Sequence, residues 1–190
     1  MAVTAPKDAA TVIILRTSPN GGDAPMEVLM VRRHPQSVFV PDVHVFPGGR
    51  LDEADCDPGL EPFCTGLDRK TAAGLIHDID PPEKALGAWI TGIRETFEEV
   101  GLLMAYDRDG SVLSLAHPRN ADFSAHRKAL TDGRARFANI LREESLTLAT
   151  DRLCYFSHWV TPELSPLRYD VRFFVTEAPP NQDALHDGLE

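Results

Sequence analysis

Long apolar runs are missing from this chain: nowhere do about eighteen apolar residues follow one another, so no membrane span of the usual length is expected. Cysteine is scarce as well. Cys56, Cys64 and Cys154 are an odd number without a C-x-x-C pair, which argues against a disulfide framework and fits reduced thiols in a cytoplasm. A zinc site built from Cys56, Cys64 and His77 is disfavoured, because the spacing matches no tetrahedral ligand pattern. Positive charge is in deficit: 19 Lys and Arg against 29 Asp and Glu leave a net charge of -10. Nucleic acid or an anionic membrane would need a local basic patch working against that sign, so neither is an expected partner. An anionic small molecule stays open if a metal carries the positive charge. Met1 to Ala10 holds Lys7 and Asp8 where a secretory peptide needs an apolar run, and a cytoplasmic location is expected. What is there, 190 residues of which 43% are hydrophobic, suffices for one good core and a single domain.

Thr11 to Arg16 and Glu27 to Arg33 are short β-branched or apolar runs around the turn cluster Ser18-Pro19-Asn20-Gly21-Gly22, which predicts strand, loop, strand. Val38 to Phe46 continues in extended character and stops at Pro47-Gly48-Gly49. Asp52 to Pro82 turns polar and rich in Gly, Pro and Asp, with a short helical candidate around Arg69 to His77, and reads as an excursion from the core. Pro81-Pro82-Glu83 then opens the clearest helix, with its next break at Gly101. At about 100° per residue, Leu86, Trp89, Ile90, Ile93, Phe97 and Val100 share one arc, while Glu95, Glu98 and Glu99 share another on the opposite side. Phe123 to Leu130 and Ala135 to Leu146 are two further helices joined at Asp132-Gly133, and Leu153 to Val160 and Tyr169 to Thr176 are strands.

Three carboxylates at i, i+3 and i+4 repel one another unless something neutralises them. An oxygen-only set favours a hard cation, Mg²⁺ or Mn²⁺, which retains open positions for phosphate oxygens. Arg94 reaches Glu98 at i+4 and can fix its orientation. Taken alone, three acids on a helix are most often a solvated face. Pro47-Gly48-Gly49 after a strand, Arg94 in place and Gly101-Leu102 closing the helix together turn the reading toward a metal site.

Gly49 followed by Asp55, then Arg94-Glu95-x-x-Glu98-Glu99-x-Gly101-Leu102, resembles the Nudix box. The second half of the box matches well. In the first half Asp55 stands where the pattern has Glu, about thirty extra residues separate it from Arg94, and Thr96 replaces a bulky apolar residue. With Leu29 to Arg33, Val43 to Asp52, Trp159-Val160-Thr161-Pro162 and Arg168 to Phe174, the chain from about residue 11 to about residue 176 resembles the branch containing coenzyme A and acyl-coenzyme A diphosphatases. That resemblance implies an α/β fold: a Nudix α/β/α sandwich with a mixed β-sheet, as one domain over 1–190. Insertions are expected at about 53–83, inside the box, and at about 119–147, where the chain is helical. It also implies that the Gly48 carbonyl joins Glu95, Glu98 and Glu99 around Mg²⁺ or Mn²⁺, and that a metal-activated water attacks a diphosphate linkage. The proton acceptor would be Glu98 or Glu95, Glu98 slightly ahead, with Arg94 beside them. Coenzyme A would give 3',5'-ADP and 4'-phosphopantetheine or its acyl form. ADP-ribose, a nucleotide sugar or a dinucleoside polyphosphate are alternative substrates, and a non-catalytic nucleotide-binding module is the alternative from another class.

For substrate contacts the candidates are Arg32, Arg33, Arg50, Arg134 and Arg136. The last two lie in a basic island, residues 119–142, where six basic residues face two acidic ones. Those helices are expected to cap the cleft and meet a nucleotide phosphate; two exposed helix faces would look the same. His34, His44, His117, His126, His158 and His186 show no ligand spacing. Relatives of this kind are expected to continue beyond Leu185 to Glu190 with a last strand and a helix on the sheet. That strand and helix are expected either to be missing from this sequence or to be replaced by a partner subunit, for which a homodimer is the expected form.

Overall fold

The computed structural model describes residues 4–18, 25–33, 35–36, 41–116 and 119–185. The turn at 19–22, the first part of the Val38 to Phe46 run, and His34, His117 and His186 lie outside the described residues. The chain begins with a long strand, β1 (Lys7–Thr17), followed by β2 (Met26–Val28), β3 (Val31–Arg32), β4 (His44–Val45) and β5 (Gly48–Arg50). Two 3-10 turns, Glu53–Cys56 and Pro58–Phe63, lead to α1 (Arg69–Leu75), and a third, Pro82–Lys84, leads into α2 (Ala85–Val100). Then come β6 (Ala105–Tyr106), α3 (Arg119–Thr131), α4 (Phe137–Glu143), β7 (Thr147–Leu148), β8 (Cys154–Val160) and β9 (Tyr169–Glu177).

The main sheet is mixed, in the order β2-β1-β9-β8, with β5 also paired to β1. β1 and β9 run parallel from Lys7↔Tyr169 to Leu15↔Glu177, whereas β1–β2, β1–β5 and β8–β9 are antiparallel. β1 starts at Lys7, earlier than its β-branched run, because pairing with β9 fixes residues whose own propensity is weak. The expected strand over Glu27 to Arg33 is split. β2 stays on β1, Leu29 N–H still donates to Ile14 O, and β3 leaves to pair with β4 in a separate ladder. Pro41 and Asp42 form a turn, with Asp42 at φ 60°, so of the described part of the Val38 to Phe46 run only His44–Val45 is strand. The expected helix from Ala135 to Leu146 shortens to α4, stopped by Ser145 at φ 55°.

α2 is the spine. It ends at Gly101, which takes φ 76° as a left-handed C-cap, and its N–H returns to Phe97 O. Leu86, Trp89, Ile90, Ile93, Phe97 and Val100 are all buried, as their common arc requires. Trp89 stacks at 4.8 Å on Phe174, and its indole N–H donates to Leu153 O at 3.0 Å. Gly92 is where helix and sheet come closest: a Cβ there would lie 2.9 Å from Val12 Cγ2. The opposite side of α2 is covered as well, since Ala88, Thr91, Arg94 and Glu99 are also buried. The polar excursion after Asp52 does this. Leu60, Ala72, Ile76 and Ile79 join the same hydrophobic core, and Cys56 Sγ sits where a Cβ on Gly87 would come within 2.8 Å. α3 packs on α2 through Phe123, edge-on to Phe97 at 6.3 Å. Among the described residues, no helix is long and apolar enough to cross a membrane.

Candidate active site

β5 and the acidic side of α2 meet face to face. Glu99 Oε2 accepts a 3.0 Å hydrogen bond from Gly48 N–H. The Glu95 carboxylate lies against Gly49, where a Cβ would fall 2.4 Å from its Cδ. Any side chain at 49 would therefore occupy the volume of an acid group, which is the physical reason for glycine there. Gly48 answers a different need: at φ 154°, its Cβ would lie 2.3 Å from Ala10 O, so its constraint is the pairing of β5 with β1.

Arg94 organises the acids from beneath. It is 7% exposed; its Nε and Nη2 donate to Oδ1 and Oδ2 of Asp55, both at 2.8 Å, and its Nη1 lies 2.9 Å from Glu95 Oε1 and 3.2 Å from Glu98 Oε2. Nη2 also donates to Arg50 O at 3.1 Å, tying the guanidinium to the end of β5. Burial opposes the charge, but the Asp55 bonds and the carboxylates of Glu95 and Glu98 outweigh it and hold Arg94 well above its ordinary range. Asp55, 2% exposed, also accepts from Thr91 Oγ1 at 2.8 Å and from Asp52 N–H at 3.1 Å, which closes the Glu53–Cys56 turn. Its shorter side chain thus carries the contact to the arginine, and the long insertion leaves both partners on one site.

The resulting set is oxygen-only, with the carboxylates of Asp52, Asp55, Glu95, Glu98 and Glu99 around two cations, Arg94 and Arg50. Excess negative charge on hard donors fits Mg²⁺ or Mn²⁺ by its chemistry and disfavours metals that seek thiolate or imidazole. Among the described residues, no three His, Cys, Asp or Glu side chains are already gathered as a ligating group. Glu95 and Glu98 each lean on Arg94 and Glu99 on Gly48, so holding a cation requires these side chains to regroup.

The other candidates are spread out. Arg50 is half-exposed, 3.7 Å from Asp52, which is 3.8 Å from Arg94, and so stands at the rim of the acids. Arg32 pairs with Asp42 at 2.6 Å on the surface, and Arg33 follows it at the end of β3, its N–H donating to Val43 O. In the basic island Arg134 pairs with Asp132 at 2.6 Å, Arg119 reaches Asp107 at 2.8 Å, and Arg136 is exposed at the start of α4. Arg127 caps the end of α2, donating to Glu98 O, Glu99 O and Leu185 O. A cavity of about 420 Å³ opens beside it, lined by Phe97, Phe123, Asn120 and Gln182 among others, but none of the three glutamates lines it.

Sequence spacing gave no sign of one further polar group. His158 on β8 lies between Asp78 and Asp170, one ring nitrogen facing each. The fully buried Arg172 reaches Asp8 Oδ1 at 2.6 Å and Asp170 Oδ1 at 3.1 Å, and donates to Asp78 O. This network joins β1, β8, β9 and the insertion, and only strand register brings its members together. Arg168, also buried, donates to backbone carbonyls of Thr161 and Thr4. Cys56, Cys64 and Cys154 are free thiols.

A glycine strand-end over an arginine-locked row of glutamates, on a helix laid across a mixed sheet, defines the Nudix class of α/β proteins. The crystal structure of a Nudix hydrolase from Alicyclobacillus acidocaldarius superposes with a TM-score of 0.71 over 98% of this chain and 77% of that one, at 28% identity. In fold and in sequence the chain is thus similar to the Nudix hydrolase superfamily. In sequence it is similar to acyl-coenzyme A diphosphatase NUDT19 of Xenopus laevis, 23% identical over 89% of this chain and 56% of the relative. The same protein of Gallus gallus is 26% identical, over 89% of this chain and 54% of the relative. The chain therefore spans about half the length of these curated relatives. No family model matches it.

Proposed function

We propose that the chain hydrolyses the diphosphate linkage of a nucleoside-diphosphate derivative with Mg²⁺ or Mn²⁺ held by Glu95, Glu98, Glu99 and the Gly48 carbonyl. The observation that carries this reading is the close approach of the Glu95 carboxylate to Gly49, which puts a helix acid and a strand backbone at one point. When bound, the cation draws charge from the phosphoryl oxygens and acidifies the attacking water. Arg94 holds Glu95 and Glu98 in place through their ion pairs and stays charged throughout. Glu98, the more exposed of the two at 21% against 13%, accepts the proton from water. Arg50, at the rim, meets a substrate phosphate oxygen; Arg32, Arg33, Arg134 and Arg136 are outlying contacts, and Arg32 and Arg134 must leave Asp42 and Asp132 to serve.

The substrate best supported is coenzyme A or an acyl-coenzyme A, cleaved to 3',5'-ADP and 4'-phosphopantetheine or its acyl form, in keeping with the relatives named acyl-coenzyme A diphosphatase. The test is a panel of diphosphates, including coenzyme A, ADP-ribose and dinucleoside polyphosphates, incubated with Mg²⁺ and read by product mass. Coenzyme A should turn over, and Glu98→Gln should lower kcat about 10²- to 10⁴-fold with the circular dichroism unchanged. Turnover of none of the panel, or an undiminished Glu98→Gln, overturns the reading.

A further inference from the structure

Gly87, Thr91 and Arg94 stand at i, i+4 and i+7 on one face of α2, and all three address Asp55. Gly87 admits its backbone: a Cβ there would lie 3.3 Å from Asp55 O. Arg94 takes both carboxylate oxygens through Nε and Nη2. Thr91 lies between these two along the helix, fully buried, and its Oγ1 donates to Asp55 Oδ2 at 2.8 Å. That hydroxyl had a nearer use. A threonine inside a helix can return its hydroxyl to the carbonyl one turn back. Thr96 on the same helix does so, donating to Gly92 O at 2.7 Å. Thr91 turns from its own helix to the insertion instead.

The bond matters for what lies beyond it. The guanidinium of Arg94 is a rigid planar fork. Asp55 occupies its Nε and Nη2 side, which leaves Nη1 for Glu95 Oε1 at 2.9 Å and Glu98 Oε2 at 3.2 Å. A rotation of the Asp55 carboxylate therefore swings Nη1 off the glutamates. Arg94 cannot oppose that rotation, because it follows the carboxylate it is paired with. The N–H of Asp52, 3.1 Å from Oδ2, belongs to the turn that carries Asp55 and moves with it. Among the described residues, Thr91 is the contact that ties this carboxylate to the helix independently of Arg94.

We infer that Thr91 is a positioning residue of the acid site. Its hydroxyl sets the plane of the Asp55 carboxylate and, through Arg94, the placing of Glu95 and Glu98. The consequence for metal and turnover rests on the function proposed above; the geometry does not.

Two substitutions separate a hydroxyl that positions from a side chain that packs. Thr91→Val keeps the shape and drops the donor, while Thr91→Ser keeps the donor and drops a methyl group. The first readout needs neither metal nor substrate. In the metal-free protein the Nε–H of the buried Arg94, bonded to Asp55 Oδ1, should give a slowly exchanging resonance, assigned by its loss in Arg94→Lys. Thr91→Val should speed that exchange at least about fivefold, by loosening the pair locally, and Thr91→Ser should recover the slow rate. Calorimetry should then show Mn²⁺ affinity lowered about tenfold in Thr91→Val, the lower end for groups that hold metal ligands in place, and recovered in Thr91→Ser. With a diphosphate that turns over, at saturating metal, kcat should fall in Thr91→Val while KM stays.

An Arg94 resonance that exchanges alike in wild type and Thr91→Val overturns the inference. So does the reverse ranking, with Thr91→Ser the worse of the two, or a Thr91→Val chain that does not fold, since either makes Thr91 a packing residue. A chain that turns over no diphosphate, yet loses Arg94 protection in Thr91→Val, fails the proposed function and keeps this inference.

Discussion

Arg94 and Asp55, 39 residues apart in sequence, share two hydrogen bonds of 2.8 Å inside the protein, and this pair locks the insertion onto the acid-bearing helix. Asp55→Ala leaves a buried guanidinium short of a partner and should cost about 3–5 kcal/mol in urea unfolding. Asp55→Asn keeps the shape and one acceptor and should cost less, yet still lower kcat, because Arg94 can then shift against Glu95 and Glu98. Equal stability of Asp55→Ala and wild type would show that the pair does not lock the segment.

Gly48→Ala and Gly49→Ala should part company. At 48 the added Cβ meets backbone, Ala10 O at 2.3 Å, at a φ of 154°, so β5 must leave β1 and the melting temperature should fall by several degrees. At 49 it meets the end of a flexible side chain, the Glu95 carboxylate at 2.4 Å, which can swing aside. Stability should change by less than about 1 kcal/mol while Mn²⁺ affinity, followed by calorimetry, falls about 10- to 100-fold. Unaltered Mn²⁺ binding by Gly49→Ala would separate Glu95 from the metal.

Arg127 is a helix cap, its three donors on the carbonyls of Glu98, Glu99 and Leu185. Arg127→Ala should destabilise the chain by about 1.5–3 kcal/mol, the range for hydrogen bonds from a charged donor. KM should stay as it is, since the guanidinium faces the end of α2 and not the acids. A selective rise in KM would make Arg127 a substrate ligand.

Cys56 and Cys64 are pushed up to about 11 and about 12, by burial first and by the nearby Asp55 and Glu61 charges second. Both are thiols at pH 8 and should resist iodoacetamide in the native state, whereas the exposed Cys154 reacts. The linkage has a definite sign: the unfolded chain ionises these groups near pH 9, the folded one two to three units higher. Their contribution is complete below pH 9 and declines as pH rises toward 11 and 12, so unfolding midpoints in urea should drop across that window. Rapid labelling of both thiols at pH 8 in the folded protein would contradict their burial.

The acid-bearing helix was legible because its information is local. A proline start, a glycine stop and a 3.6-residue period place Leu86, Trp89, Ile93 and Phe97 on one side and Glu95, Glu98 and Glu99 on another before any contact is known. The Gly48-Gly49 turn was legible for the same reason. Asp55 was located by its distance from Gly49, but its task was not, because the insertion hides how 39 residues of chain return to Arg94. The excursion after Asp52 reads as polar by composition, yet Leu60, Ile76 and Ile79 are buried. Sparse apolar residues show no period when they sit on 3-10 turns and one short helix.

By itself, then, the sequence determined the acid-bearing helix and the glycine pair that ends a strand, since period and breakers are properties of neighbours in the chain; the mixed α/β class and the meeting of strand-end and helix came from the resemblance to the Nudix box. Tertiary structure alone decided that Arg94 bonds Asp55, that Arg127 caps α2, and that His158 lies between Asp78 and Asp170. Those outcomes depend on strand register and on which distant segments pack together, and no local pattern of side chains encodes either.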